Sequence, residues 1–300
     1  MHQPSYDDVT AILEKSVADL GEKSRNAEIA FFGGSFTAID RDYMLSLLQA
    51  TKGYIDKFKG IRISTRPDCI DNEILGILKS YGVTSIELGA QSMDDVILNA
   101  NNRGHTSFDV VKSSKLIKDY GFSLGLQMMT GLYMSDVQKD IYTAKAFISL
   151  KPDTVRIYPT VIMKDTDLAN YYLNSNYIPY TLEKSVDLCA KLILMFEEAD
   201  IAVIRLGLHY SDSLIVNSYG DNYHPAFKEL CENKIFFDKF INYINKSDFV
   251  KENFKVFINS KSLSKFLGQK KSNYNTFLSM GYKFEIEFDD TLKKYDLYIN

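Results

Sequence analysis

Two patterns of hydrophobic and polar positions alternate along the first two-thirds of the chain. Short apolar, β-branched runs are followed by segments in which apolar residues recur near helical spacing, as Val186, Ala190 and Ile193 do. This alternation is typical of βα units that build a parallel sheet. The predicted strands are Glu28–Phe32, Ile61–Thr65, Ser85–Gly89, Ser123–Met129, Thr154–Tyr158 and Ala202–Leu206. The predicted helices are Tyr6–Leu20, Arg41–Tyr54, Asn72–Tyr81, Phe108–Tyr120, Ser135–Leu150 and Leu182–Ala199.

The pattern changes near Ser211, where a polar, turn-rich stretch gives way to an aromatic, Lys- and Asn-rich region. That region ends in a predicted strand over Tyr282–Phe288. The sequence therefore predicts an α/β protein in two parts, a partial parallel (β/α) barrel over residues 1–210 and a small α+β extension over residues 211–300. Because the helix Tyr6–Leu20 precedes the first strand, we expect the barrel to lack a strand and to stay open beside that helix.

Composition describes an ordinary globular chain of 300 residues, of which 45% are hydrophobic and 25% charged. The formal net charge of −4 gives no overall attraction to nucleic acid. No apolar run approaches the roughly 20 residues of a membrane-spanning helix, and no secretory signal is visible. We expect a cytoplasmic protein without a membrane partner. Cys69, Cys189 and Cys231 fit no zinc spacing, so reduced thiols and no metal site are predicted.

Several polar residues interrupt the predicted strands. Glu87, Gln127, Arg156 and Arg205 each stand in an otherwise apolar strand. A charged group buried without a partner costs several kcal/mol, so these side chains are expected to pair or to line a polar cavity. Since working groups of a barrel lie at the carboxyl ends of its strands, the set predicts a polar barrel mouth.

Residues at the strand ends supply candidate binding groups. Gly33 and Gly34 follow the first strand and allow a ligand to approach the backbone closely. Arg103 lies in the polar loop of residues 101–106 and is suited to clamping a carboxylate, and His105 is a candidate hydrogen-bonding neighbour. Helix-capping roles are predicted for three polar residues that precede helices: Asp40, Asp71 and Ser135.

Taken together, these motifs resemble the radical S-adenosylmethionine (SAM) enzymes, most closely the branch that contains the Elongator catalytic subunit and its shorter bacterial relatives. The resemblance follows family order over about two-thirds of the chain. The matching strings are Glu28–Thr37, Ser64–Asp68, Glu87–Ser92, Asn102–Thr106, Gly125–Met129, Arg156–Thr160 and His224–Phe227.

The resemblance implies a SAM-binding role for six residues and assigns no catalytic residue. Gly33 and Gly34 look like the glycines whose backbone meets the methionyl amino group, and Gln91 looks like a ribose or methionyl contact. Arg103 looks like the clamp on the SAM carboxylate. Ser64 and Gln127 occupy strand-end positions that face the nucleoside in relatives.

One family feature is missing from this sequence. Radical SAM enzymes place a loop with three cysteines, commonly CxxxCxxC, ahead of the glycine-containing strand, and its thiolates bind a 4Fe–4S cluster. Here no cysteine precedes Cys69. The expectation is an N-terminally truncated member of the family, in preference to a degenerate scaffold that keeps only the fold.

The implied activity is reductive cleavage of SAM to a 5′-deoxyadenosyl radical, with ferredoxin or flavodoxin as electron donor and tRNA or a small molecule as substrate. A basic patch of Lys265, Lys270 and Lys271 is a candidate RNA contact. Two alternatives stay open. One is a relative of oxygen-independent coproporphyrinogen III oxidase, which would need several cations at the barrel mouth, and the other is a catalytically inactive SAM-binding scaffold.

Overall fold

A computed structural model describes residues 3–246 and 252–300. Its contacts divide the chain into two compact units. The first comprises residues 1–158 and 196–205, and the second comprises residues 159–195 and 206–300. The expected domains, 1–210 and 211–300, stay a prediction.

The strands lie close to their predicted positions in the first unit and are more numerous than predicted in the second. They are β1 (Glu28–Phe31), β2 (Gly60–Thr65), β3 (Val83–Gln91), β4 (Ser123–Thr130), β5 (Thr154–Pro159), β6 (Ile162–Met163), β7 (Ala202–Leu206), β8 (Ser218–Tyr219), β9 (Glu252–Ile258), β10 (Lys283–Phe288) and β11 (Leu297–Ile299).

The helices alternate with the strands as predicted, with additional short ones. They are α1 (Tyr6–Leu20), α2 (Arg41–Thr51), α3 (Asn72–Ser80), α4 (Asp95–Ala100), α5 (Ser107–Asp119), α6 (Val137–Leu150), α7 (Asp167–Leu173), α8 (Leu182–Glu198), α9 (Asp212–Val216), α10 (Phe227–Asn245), α11 (Leu263–Leu267) and α12 (Ser272–Ser279).

The first unit is built on a curled half-barrel of six parallel strands in the order β1-β2-β3-β4-β5-β7. This confirms the predicted partial (β/α) barrel. In the register, Ile61 of β2 lies between Ile29 of β1 and Val83 of β3. These apolar side chains are buried, and alternate residues of the same strands point to the other face. That second face carries the polar side chains of the candidate site.

Side-chain caps fix where several of these helices begin. Asp40 and Asp71 cap α2 and α3 as predicted, by accepting hydrogen bonds from backbone N–H groups. The prediction for Ser135 was wrong, because Asp136 caps α6 by accepting from the N–H groups of Gln138 and Lys139. The Ser135 hydroxyl instead donates to the buried carboxylate of Asp140, at 2.6 Å.

The second unit contains a three-stranded sheet in the order β10-β9-β11 and a short β6-β8 pair. Strand β10 runs parallel to β9, and β11 runs antiparallel to it. Aromatic side chains form the core beneath this sheet. The ring of Phe240 stacks on that of Phe277 with centroids 3.9 Å apart, and Phe236, Phe266 and Phe254 surround it. Within residues 3–246 and 252–300, no helix has the length and apolar character needed to cross a membrane.

Candidate functional site

A buried carboxylate lies at the centre of the polar face of the sheet. The Glu87 side chain on β3 is only 1% exposed. Its Oε1 accepts from Arg62 Nη1 at 3.1 Å and from Arg156 Nη2 at 2.9 Å. Its Oε2 accepts from Arg156 Nε at 2.6 Å and from Gln127 Nε2 at 2.9 Å. These four bonds fill the acceptor capacity of a carboxylate, so Glu87 has no free lone pair for a ligand.

The same interactions extend to the edge of the sheet. Arg62 also pairs with Glu28 of β1, with Nη2 to Oε2 at 2.7 Å. The guanidinium of Arg156 lies 4.9 Å from the ring centroid of Phe32, within range of a cation–π contact. We call Glu28, Arg62, Glu87, Gln127 and Arg156 the Glu87 cluster. Its two cations and two carboxylates sum to zero charge, as burial of such groups requires.

The pKa of Arg156 reflects two opposing effects. Burial lowers it, but the hydrogen bonds and negative charge of Glu87 outweigh burial and raise the pKa above its ordinary value. Arg156 therefore stays positively charged at every pH at which the fold is stable.

The strand register and one glycine make room for this cluster. Glu87 lies opposite Ser64 of β2 and opposite Gly125 of β4. A Cβ atom on Gly125 would lie 2.7 Å from Cγ of Glu87 and 3.0 Å from Oγ1 of Thr154. Only glycine fits here without displacing the carboxylate. Gln127 follows two residues later on the same face and also donates from Nε2 to Oγ of Ser64, at 3.1 Å.

A second polar region follows β3, in residues 101–106, which we call the Arg103 loop. His105 is buried, with Nε2 3.0 Å from the carbonyl oxygen of Ala90 and Nδ1 3.3 Å from that of Arg103. The histidine thus fastens the loop to the end of β3. Arg66 donates from Nη2 to the carbonyl oxygen of Gly104, at 3.2 Å, and a Cβ on Gly104 would lie 2.7 Å from that nitrogen.

The guanidinium of Arg103 differs from the cations of the Glu87 cluster. The residue is half-buried, and among the described parts of the chain its side chain makes neither an ion pair nor a hydrogen bond. Burial, and then the positive charge of Arg66, lower the pKa of Arg103 from its ordinary value. Arg66 itself is held by Asp68 through two bonds of 2.6 and 2.9 Å. A carboxylate or phosphate at Arg103 would relieve an uncompensated charge.

Gln91, at the end of β3, adopts a left-handed backbone conformation with φ of 65°. The β3–β4 register is irregular between Leu88 and Gln91. Such a conformation costs about 1–3 kcal/mol for a residue other than glycine and is concentrated at functional sites. It marks the position next to His105 and the Arg103 loop as constrained.

The six predicted site residues fall into groups, and that all six face one SAM molecule stays a prediction. Ser64 and Gln127 are in direct contact, and Gln91 lies at the strand end to which His105 fastens the Arg103 loop. Gly33 and Gly34 are exposed after β1 and border a cavity of about 150 Å³, also lined by Phe36 and Tyr43. All six lie in the first unit, after or near the carboxyl ends of β1 to β4.

Sequence reasoning identified Glu87 and Arg156 as polar strand residues but missed Arg62, which pairs with both carboxylates of the cluster. The signal for Arg62 was its spacing, because Arg62 and Ser64 stand two positions apart and so share one face of β2. Arg205 lies half-buried on the edge strand β7.

The cysteines do not form a cluster-binding set among the described residues. Cys69 belongs to the first unit, whereas Cys189 and Cys231 are buried in the second. Burial and a hydrogen bond with Cys189 raise the pKa of Cys231, and burial and Asp68 raise that of Cys69, so the thiolate forms that bind iron are disfavoured. No three His, Cys, Asp or Glu side chains group as metal ligands within residues 3–246 and 252–300.

Two family models match the parts of the chain that contain this site. Residues 2–143 match the model described as the radical SAM superfamily, and residues 152–236 match the radical SAM C-terminal domain. The chain belongs to the radical SAM superfamily. The first match contains the Arg103 loop and most of the Glu87 cluster.

Curated relatives place the chain in the Elongator-like branch. It is 31% identical over 199 residues to Elongator complex protein 3 of Dictyostelium discoideum, covering 59% of this chain and 35% of that protein. It is 31% identical over 192 residues to a tRNA uridine(34) acetyltransferase of Methanocaldococcus jannaschii, covering 56% of this chain and 35% of that protein. The radical SAM chain thus spans about a third of these relatives' length.

Among solved structures, the archaeal Methanocaldococcus infernus Elp3 with residues 1–46 deleted has a TM-score of 0.58 to this chain. The match covers 70% of this chain and 57% of that one at 20% sequence identity. At this identity the likeness concerns the fold, and it agrees with the six-stranded radical SAM half-barrel.

Proposed function

We propose that this chain binds SAM at the carboxyl ends of β1 to β4 and serves radical chemistry on a tRNA nucleoside. The observation that carries the proposal is the half-buried guanidinium of Arg103, which makes no ion pair among the described residues. Its lowered pKa reports burial beside another cation. An unpaired buried cation is unfavourable unless an anion binds there, and SAM carries a carboxylate.

Each of the other five residues has a chemical reason to contact SAM. Gly33 and Gly34 leave backbone groups exposed after β1, where an amine can approach carbonyl oxygens. Gln91 is buried in a constrained conformation beside the loop of Arg103. Ser64 and Gln127 form a linked pair of polar groups suited to a nucleoside. Bound SAM would supply the superfamily's general chemistry, reductive cleavage to a 5′-deoxyadenosyl radical.

The superfamily also implies a 4Fe–4S cluster and an electron donor such as ferredoxin or flavodoxin. Clusters of this kind are held by several thiolates. Of the cysteines that the structure describes, Cys69 lies in the first unit and Cys189 and Cys231 in the second, and burial raises the pKa of the Cys69 and Cys231 thiols, so they do not fit that group. The role proposed for the described side chains is to bind and orient SAM.

The proposed substrate class rests on the relatives, one of which is named a tRNA uridine(34) acetyltransferase. In the second unit, Lys270 and Lys271 are exposed just before α12, and Lys265 is half-buried on α11. Cations of this kind contribute to RNA affinity through release of counterions. Replacement of all three by Gln is expected to weaken tRNA binding and to lower its dependence on salt, measured by fluorescence anisotropy between 50 and 200 mM salt.

The alternative of a coproporphyrinogen III oxidase relative receives less support from the charges. That alternative asks for free cations at the barrel mouth to bind several carboxylates. Arg156 is bound to Glu87, and Arg66 is bound to Asp68 and to a backbone carbonyl. The inactive scaffold would retain SAM binding, so it is distinguished by activity and not by affinity.

Calorimetric titration with SAM tests the binding proposal. Arg103→Ala is expected to weaken binding by about 1–3 kcal/mol, the worth of a hydrogen bond to a charged group. Arg25→Ala is the matched control, because Arg25 is a surface arginine, 72% exposed, that pairs with Glu22. Equal SAM affinity of the two variants, or no SAM binding by the unmodified chain, contradicts the proposal.

A further inference from the structure

We infer that Glu87 is a positioning residue that fixes the orientation of the Gln127 amide, so that the site presents the Oε1 atom of Gln127 as a hydrogen-bond acceptor. The Oε1 atom of Gln127 would accept a hydrogen bond from a hydroxyl or an amino group of the bound nucleoside. The ligand side of this inference rests on the proposed function, whereas the orientation of the amide does not.

The orientation follows from what Glu87 accepts. The carboxylate lies between two guanidinium groups, Arg62 and Arg156, and is therefore ionised and an acceptor only. The amide atom 2.9 Å from its Oε2 must then be the nitrogen of Gln127. The opposite assignment would place two acceptor oxygens against each other in a buried site, which is unfavourable.

Both hydrogens of the Gln127 amide are used by these contacts. One is directed to Oε2 of Glu87, and the other to Oγ of Ser64, at 3.1 Å. The carbonyl oxygen lies on the opposite side of the amide and has no donor among the described residues. Gln127 is only partly buried, so this oxygen is reachable by a ligand. A glutamine held in this way acts as a one-sided acceptor, although the free side chain offers both a donor and an acceptor.

The consequence is selectivity for a nucleoside that donates at this point. A site that binds a donor through a preoriented acceptor discriminates strongly against an analogue lacking it, because the acceptor is then left unpaired. Glu87 itself, with its four bonds made inside the protein, contributes through Gln127 and not by contact.

The orientation is tested first without any ligand. Side-chain amide resonances of Gln127, assigned by their loss in Gln127→Leu, are expected to exchange slowly with solvent in the unmodified chain. Glu87→Gln should accelerate exchange of one amide proton, and Ser64→Ala should accelerate exchange of the other. Ser64→Ala leaves the ion pairs of Glu87 intact, so it tests the orientation of the Gln127 amide even if Glu87→Gln does not fold. Rapid exchange in the unmodified chain, or no change in either variant, overturns the inference.

The acceptor role is tested by titration with SAM analogues that each lack one donor, the 2′-deoxy, 3′-deoxy and N6-dimethyl forms. One of them is expected to bind at least about tenfold more weakly than SAM, and Gln127→Leu should abolish that difference. If SAM binds but no analogue penalty depends on Gln127, the inference fails. If SAM does not bind at all, the proposed function fails, and the exchange experiment alone decides the orientation.

Discussion

The Glu87 cluster and the Arg103 loop are two polar regions of one half-barrel. They differ in whether their arginine side chains are paired with carboxylates. In the cluster, Arg62 and Arg156 share the carboxylates of Glu28 and Glu87, and every charge is matched inside the protein. In the loop, hydrogen bonds between the side chains of His105 and Arg66 and backbone carbonyl oxygens hold the chain in place. The guanidinium of Arg103 is left without a partner among the described residues.

The difference separates scaffolding from binding. A buried ion pair contributes little net stability over an apolar pair, but removal of one member leaves an uncompensated charge and is strongly destabilising. The cluster is therefore expected to be sensitive in folding and insensitive in direct ligand contact. The Arg103 side chain is expected to behave in the opposite way, with little effect on folding and a large effect on an anionic ligand.

The largest expected effect is on folding of the cluster. Glu87→Leu removes the carboxylate that two arginines share and should lower the free energy of unfolding by about 3–5 kcal/mol, measured by urea denaturation. Lys115→Ala is the control, because the Lys115–Asp119 pair on α5 is exposed and should contribute less than about 1 kcal/mol. Comparable losses in the two variants would show that Glu87 is not a buried centre of charge.

A steric change tests the same cluster without removing any charge. Gly125→Ala places a methyl group against Glu87 and should lower the free energy of unfolding by about 1–3 kcal/mol, as overpacking does. Gly76→Ala on α3 meets no atom within 4 Å and should be neutral or slightly stabilising, because alanine favours the helix. Thermal unfolding of the two variants makes the comparison, and a neutral Gly125→Ala would contradict the packing described.

Acid pH is expected to have a smaller effect on stability, through the capping box of Thr106 and Asp109 at the start of α5. Hydrogen bonds from the Thr106 side chain and backbone hold the pKa of Asp109 below its ordinary value of 3.8. Because the folded pKa is depressed, the capping contribution is present above pH 3.8 and is lost as pH falls through the lower folded value. Asp109 is near the surface, so we expect well under the roughly 1 kcal/mol of a typical cap.

Amide hydrogen exchange of loop residues between pH 5 and pH 3 measures this contribution. Exchange rates, corrected for their intrinsic pH dependence, should show protection falling with acid in the unmodified chain. In Asp109→Asn the protection should be lower at pH 5 and nearly independent of pH. An identical pH profile in the variant would show that another group anchors the loop.

The smallest expected effect is the folding consequence of Arg103→Ala. Since the guanidinium makes no ion pair among the described residues, its removal should change the free energy of unfolding by no more than about 0.5 kcal/mol. Arg156→Ala, which removes two of the four hydrogen bonds to Glu87 and one of its two ion pairs, should cost about 3–5 kcal/mol in the same urea experiment. Similar losses for the two arginines would remove the distinction between the regions.

The regular part of the fold was predictable because apolar periodicity determines it. The strands of the first unit and helix α1 fall within one or two residues of the predicted bounds. Helix α4 was missed because it is short and its apolar residues, Ile97 and Leu98, are too few to show a period. Ser135 was chosen over Asp136 as a cap because both residue types favour that position and only the backbone geometry separates them.

The site was predictable in its residues and not in its pairings. Glu87 can be identified from sequence because it is an acidic residue within an apolar strand. Its hydrogen-bonding partners depend on strand register, which places Ser64 and Gly125 beside it. Arg62 was missed for the same reason, since its alternation with Ser64 shows the face and not the neighbour. That Arg103 makes no ion pair among the described residues is a property of the tertiary structure alone, because sequence cannot show which carboxylates stay out of reach.

The most direct test of the central claim compares SAM with decarboxylated SAM, which keeps the amine, the sulfonium and the nucleoside but lacks the carboxylate. The unmodified chain is expected to bind SAM about 1–3 kcal/mol more tightly than the decarboxylated form, and Arg103→Ala should bind the two almost equally. A preference for SAM that persists in Arg103→Ala would contradict the claim that this unpaired guanidinium receives the carboxylate.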